Sequence, residues 1–287
     1  MLTTKKIYID SRFKTSDSVS HTDFKYDLGL SVNMPDGAHF YMDDVNIPNT
    51  WYSVEQGMNS KLYVRVLFVL DEAGIKDYII DIPSDVYNSE SFTLMIKTKL
   101  TSVVGDFWQV VYDPNKNCMN ISSTYMLYFQ FFTDDDLRNP ATNWGKNNAN
   151  AGDTSIIIQD LMHLGSINEV IKNYGASPHY TQTNHYASGF LDMLRYNNIY
   201  ISSNLGVYQT LGPRPRQQTL VRKVPVTASS GNVINDRVVG KHDILDCSKI
   251  SLSILSFRFE DVYGNTINLR GCHVSFSLIF TTLVEDR

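Results

Sequence analysis

The stretch from Ile250 to Leu283 constrains the fold more than any other part of this chain. In its second half Cys272, Val274, Phe276, Leu278 and Phe280 alternate with His273, Ser275, Ser277 and Thr281. A period of two puts one apolar face on a core and one hydroxyl-rich face outward, which is the pattern of a half-buried β-strand. In its first half Leu252 and Ile254 share one phase, whereas Leu255, Phe257 and Phe259 share the other. A face switch inside one strand predicts a β-bulge near Ile254. Between the halves, Asp261-Val262-Tyr263-Gly264-Asn265 supplies residues that tolerate tight-turn dihedrals. The two arms read as a closing hairpin at the centre of an all-β domain.

The same grammar opens the chain. Lys6 to Asp10 and Phe24 to Leu28 are short alternating runs, and a longer strand is expected at Ala38 to Ile47, entered through the turn Pro35-Asp36-Gly37. It should stop at Pro48-Asn49, because proline cannot donate to a ladder. Near Asn59 the pattern changes. Lys61 to Leu70 and Ile75 to Ile82 flank a turn and predict a hairpin. Phe92, Met95, Ile96, Leu100 and Val103 then fall at helical spacing, with Ser89 or Ser91 as cap and Gly105 as stop. Strands are expected at Phe107 to Tyr112, Met119 to Ser123 and Tyr125 to Phe132, giving a compact α+β unit.

Asp134 to Asp153 reads as a long exposed loop, and Ser166-Ile167-Asn168-Glu169 as the capping box of a short helix. Strands resume at Ile199 to Ser203, Leu220 to Val226 and Arg237 to Leu245, followed by the closing pair. Three strands before Asn59 and five after Asn198 make eight, a number that suits a two-sheet Greek-key sandwich. The expected fold is therefore mainly β, an eight-stranded jelly-roll sandwich with an α+β insertion domain. The jelly roll would occupy residues 1–58 and 176–287, and the insertion residues 59–175.

Composition closes off several classes of function. A net charge of −5 over 287 residues argues against nucleic acid as the main partner. With 17 Tyr and 14 Phe there is ample material for a strand-built core. Cys118, Cys247 and Cys272 form no CxxC pair and no Cys/His cluster, so free thiols and no metal or other cofactor are expected. The N-terminus carries no apolar signal segment, and no 18-residue apolar run occurs, so the expectation is a soluble, cytosolically made chain without a membrane span.

No sequence motif of an enzyme is present: there is no phosphate-binding Gly-rich loop, no Gly-Xaa-Ser-Xaa-Gly and no His-Glu-Xaa-Xaa-His. The chain is read as a non-enzyme. Asp134-Asp135-Asp136 reads as a solvated loop or a first helical turn. Asp43 and Asp44 are adjacent in a strand, so their side chains leave on opposite faces, and the pair reads as a bulge rather than a carboxylate dyad. His163, His179 and His185 match no ligand spacing. Four residues stand out as possible partner contacts. Arg214 and Arg216 project from the proline-stiffened segment Gly212 to Arg216, whose basic character continues to Arg222-Lys223. Trp51 and Tyr52 follow a strand end, where large aromatics serve either as core or as an intersubunit anchor.

Several stretches together resemble the penton proteins, the single jelly-roll minor capsid proteins of Polinton/Maverick elements, virophages and related large double-stranded DNA viruses. They are Val45-Asn46-Ile47-Pro48-Asn49-Thr50-Trp51-Tyr52-Ser53-Val54, the strand-Pro-helix step from Ile80 to Leu100, Ile199 to Leu205 with Leu211-Gly212-Pro213-Arg214 and Val221 to Val226, and Phe257-Arg258-Phe259-Glu260-Asp261 through Ser275-Phe276-Ser277-Leu278. The resemblance implies a viral structural protein that forms homo-pentamers at the fivefold vertices of an icosahedral capsid and docks against the major capsid protein. It would be made in the host cytoplasm, reside in the virion, and turn its insertion domain outward, where a host receptor could meet it. The alternative reading is a receptor- or glycan-binding virion surface module. Capsid contacts spread over surfaces, so the resemblance transfers no individual functional residue.

Overall fold

In the computed structural model the described residues are 4–57, 59–68, 74–132, 137, 185–205, 220–237, 239–240 and 243–282. Two compact units account for them: Met1–Trp51 together with Tyr196–Arg287, and Tyr52–Arg195. The described part of the chain is mainly β, arranged in several antiparallel sheets.

The first unit opens with β1 (Lys5–Asp10), β2 (Asp23–Asn33) and β3 (Ala38–Pro48). It resumes after Arg195 with β10 (Asn198–Ser203), β11 (Leu220–Pro225), β12 (Val233–Asp236), β13 (Leu245–Asp246), β14 (Ser251–Glu260) and β15 (Ser275–Thr282). One sheet has the order β1-β15-β3-β12, with the two-residue β13 also on β3, and the other has the order β11-β10-β14-β2. Their inner faces share a single core. Phe257 of β14 meets Phe276 of β15 edge-on at 4.8 Å, and Phe24 of β2 lies 5.5 Å from Phe257.

This arrangement corrects the closing hairpin. β14 pairs with β10 and β2, whereas β15 pairs with β1 and β3, so the two arms belong to opposite sheets. Alternation reports which face of a strand is buried but carries no information about its ladder partner. The tight turn itself is present. The Asp261 carboxylate accepts from the amides of Tyr263 and Asn265 at 2.8 Å each, and Gly264 takes a φ of 80° that a side chain would resist. A short return follows, with Ile267 donating to Phe259, after which the chain crosses to the other sheet.

Both expected bulges exist. The β14–β2 register shifts between Leu252 and Ile254, leaving Leu252 and Leu255 buried and Ile254 exposed. On β3 the register against β15 shifts across Asp43 to Asn46, and Asp44 adopts a φ of 53°. One strand is displaced from its expected place. Among the described residues of 237–244 there is no strand, and Val233–Asp236 pairs with β3 instead. Gly240, whose amide donates to the Asp243 carboxylate, turns the backbone locally within the region that had read as extended.

The second unit contains β4 (Lys61–Phe68), β5 (Ile75–Asp81), α1 (Ser89–Val103), β6 (Trp108–Asp113), β7 (Cys118–Ser123), β8 (Met126–Phe132) and β9 (His185–Ala187). Its strands form two sheets, β5-β4-β8 and β6-β7-β9, rather than one. Phe92, Ile96 and Leu100 of the helix are buried in the same core as Val64, Phe129 and Trp108. The cap is Asn88 rather than Ser89 or Ser91. Its side chain accepts from the Ser91 amide at 2.8 Å, and Ser91 Oγ accepts from the Asn88 amide. The expected loop at Asp134 to Asp153 and helix at Ser166 to Gly175 lie outside the described residues, apart from Leu137.

Candidate assembly surfaces

Strand order decides which backbone groups are free to meet another chain. β1 and β12 border one sheet of the first unit, and β11 and β2 border the other. Such edges offer unpaired amides and carbonyls to any incoming strand. β12 is only four residues long, and β2 is interrupted at Gly29, where φ is 71° and the amide donates to Asp27. β1 opens with Lys5 and Lys6, and Lys6 pairs with Asp43 at 3.4 Å. Large apolar side chains nevertheless stand in solvent close to this strand. Tyr8 is 71 % exposed, Phe13 72 % and Val19 83 %.

The residues singled out in the sequence part company. Trp51 is buried in the first unit's core and meets Tyr196 edge-on at 5.2 Å. Tyr52 is half-buried and belongs to the second unit. Arg214 and Arg216 lie outside the described residues, as do His163 and His179. Asp134, Asp135 and Asp136 also lie outside them. Among the described residues no group of three His, Cys, Asp or Glu side chains is placed to hold a metal ion.

Arg222 differs from its reading as part of a basic surface segment. The β10–β11 register shifts between Ile201 and Ser202, and both Val221 and Arg222 are buried. Its Nε and Nη2 donate to Asp236 Oδ2 at 3.0 and 2.8 Å, and Nη1 lies 3.3 Å from Asp243 Oδ2. The guanidinium thus ties β11 of one sheet to β12 of the other. A cation in a strand reads as surface, and only its shared phase with Val224 hinted at the crowding here.

Two more charged groups are held by close partners, Asp44 of the expected bulge and Glu260, which sequence reasoning did not single out. Asp44, held in its bulge, accepts from Asn235 Nδ2 at 3.3 Å and Arg237 Nε at 3.0 Å. Burial pushes its pKa up, but these donors together leave it below the ordinary carboxylate value. Glu260 is almost fully buried, and its carboxylate accepts from Arg258 Nη1 at 2.9 Å. Burial raises its pKa, Arg258 opposes that, and the nearby carboxylates of Asp23 and Asp261 reinforce it.

The connections β1–β2 and β14–β15 meet at one end of the sandwich and enclose a cleft of about 340 Å³. Val19, Ile267, Leu269 and Cys272 supply apolar wall, while His21 and Asn268 supply polar groups. The lining residue His21 is held from behind by Ser11, whose hydroxyl accepts from the Val274 amide at 3.0 Å and lies 3.2 Å from His21 Nδ1. Thr22 Oγ1 donates to the Ile267 carbonyl at 2.7 Å, joining the two walls. Residues from distant parts of the sequence build the cleft, so no local motif announced it.

No family model matches this chain, and no curated protein does. Among solved structures the chain is similar to a mavirus penton protein, at 13 % sequence identity and a TM-score of 0.42, over 97 % of this chain and 92 % of that one.

Proposed function

We propose that this chain is a penton protein, a minor capsid protein that forms pentamers at the fivefold vertices of an icosahedral capsid. The observation that carries the reading is the strand order. Leaving aside the two-residue β13, the strands β1, β2, β3, β10, β11, β12, β14 and β15 distribute as β1-β15-β3-β12 facing β2-β14-β10-β11. That order supports the double Greek key of a jelly roll, an architecture shared by viral capsid and lectin domains. The unit Tyr52–Arg195 lies in the connection between β3 and β10. In this reading it is the insertion domain, turned outward, and the site of any host receptor contact.

The position of the exposed apolar groups near β1 supports a protein that works by burying surface. Assembly would be heterologous, one face of each copy meeting a different face of the next, so that five copies close a ring. Tyr52, Arg214 and Arg216 are proposed as partner contacts, with the major capsid protein as the second partner. Trp51 contributes by holding the strand end that leads into the insertion. Native mass spectrometry of the purified chain, alone and mixed with its major capsid protein, tests the reading. A species of five copies is expected, and a chain that stays monomeric in both conditions overturns it.

A further inference from the structure

Three aromatic rings form a row at the surface of the second unit, each supplied by a different element. Phe68 ends β4, Phe107 lies between α1 and β6, and Tyr125 stands immediately before β8. Phe107 meets Phe68 at 6.2 Å and 75°, and Tyr125 at 5.1 Å and 50°. Phe68 and Phe107 are half-buried against the unit's core, whereas Tyr125 is 58 % exposed. The middle ring is seated on bare backbone. Gly105, just past α1, takes a φ of 134°, and a Cβ there would collide with the Phe107 ring. A glycine is thus required to hold Phe107 where it is, at the entropic cost that glycine carries.

The groups beside the row carry both signs. Lys76 of β5 places its ammonium 5.7 Å from the Phe68 ring centre, and the exposed Asp106 and Thr124 adjoin Phe107 and Tyr125 in the chain. The connection from β4 to β5 contains Asp71 and Glu72 and no Lys or Arg. These features sort the ligands. A nucleic acid or an acidic saccharide calls for a surplus of cations, which the segments bearing the row lack. A quaternary cation needs an aromatic face free of competing charge, and Lys76 already lies over Phe68. A stable protein partner needs about 800 Å² on each side, and three rings, two of them half-buried, supply far less apolar surface. A neutral hexopyranose fits. One of its faces presents C–H groups to the electron-rich face of an aromatic ring, and its rim of hydroxyls suits donors and acceptors of mixed sign. We propose that Tyr125 and Phe107 form a stacking platform for a neutral hexopyranose, with Lys76, Asp106 and Thr124 as partners for its hydroxyls. The inference rests on the reading of this unit as the site of host contact, and it names the chemistry of that contact.

Saturation-transfer NMR on the full-length chain tests it. The probes are the methyl glycosides of glucose, galactose, mannose and N-acetylglucosamine at millimolar concentration, with the methyl glycoside of sialic acid as the acidic counterpart. At least one neutral probe is expected to bind and to take up saturation chiefly at the ring C–H protons of one face. Tyr125→Ala should weaken that binding by about tenfold or more, whereas Tyr125→Phe should stay within about threefold, because stacking needs the ring and not the hydroxyl. Slow labelling of the buried Cys118 verifies that each variant keeps the unit folded. No saturation of any neutral probe, a preference for the sialoside, or binding unchanged by Tyr125→Ala each overturns the platform. Native mass spectrometry of the same samples separates this from the assembly reading. Five-copy species without sugar binding overturn the platform alone, sugar binding by a chain that stays monomeric overturns the ring alone, and a monomer that binds nothing overturns both.

Discussion

Truncating Phe276 to alanine tests whether β14 and β15 face each other across one core. Phe276 is buried to within 3 % and lies 4.8 Å from Phe257 and 6.1 Å from Phe259 in the opposing sheet. Phe→Ala at such a position costs about 3–5 kcal/mol through lost burial and the cavity left behind. The edge-on contact with Phe257 should add a coupling of about 0.5–1.5 kcal/mol in a double-mutant cycle with Phe257→Leu and Phe276→Leu. Because the chain has two compact units, a single global transition is a poor readout. Thiol labelling resolved by peptide mass is better. Cys247 is fully buried in the first unit, with burial pushing its thiol pKa up to about 11, and Cys118 is buried in the second. Phe276→Ala should speed Cys247 labelling through local opening by roughly a hundred- to several-thousand-fold, at 1.4 kcal/mol per factor of ten. Labelling of Cys118 should stay within a few-fold. A change below tenfold at Cys247, or no measurable coupling between Phe257 and Phe276, would refute the facing arrangement.

Four other outcomes follow from the same geometry. Arg222→Ala should destabilise the first unit by about 3–5 kcal/mol, since it removes the buried cation paired with the Asp236 and Asp243 carboxylates, while Arg222→Met with Asp236→Asn and Asp243→Asn should cost less; Cys247 labelling reads both. Asn88→Ala should cost the second unit about 1 kcal/mol and accelerate labelling at Cys118 alone. Glu260 has a folded pKa above its ordinary value of 4.5, so its contribution is fully present below that value and fades as pH rises through the folded pKa. Glu260→Gln should flatten the decline in thermal stability of the first unit over that window, and an unchanged slope would contradict the assignment. If the unit Tyr52–Arg195 instead binds glycans, saturable binding on a glycan array should be lost when its exposed aromatics such as Tyr125 and Phe190 are replaced.

What the sequence disclosed was face, and what it withheld was partnership. The phase flips at Ile254 and at Asp43-Asp44 located both bulges, because a side-chain period of two leaves no other way to keep Leu252 and Leu255 on one side. The alternation of β15 was equally legible, yet nothing in it distinguished β14 from β1 and β3 as neighbours. Val233-Ile234 formed the strand because β3 offered a ladder at Val45–Pro48, a tertiary reason invisible in a four-residue run. Asn88 is the cap, one position before Ser89, with Ser91 as its capping-box partner, a shift within the usual uncertainty at a helix end. Arg222 and Glu260 sit among apolar neighbours only because distant carboxylates and an arginine meet them there. The cleft is harder still, since its two walls lie some 245 residues apart along the chain, from Thr22 to Ile267.

Negative-stain imaging of the purified full-length chain bears most directly on the capsid-vertex claim. Rings of five copies, each copy 32.7 kDa, are the expected particles, alone or on addition of the major capsid protein. A field of single copies under both conditions, with the sandwich intact by Cys247 protection, would contradict it.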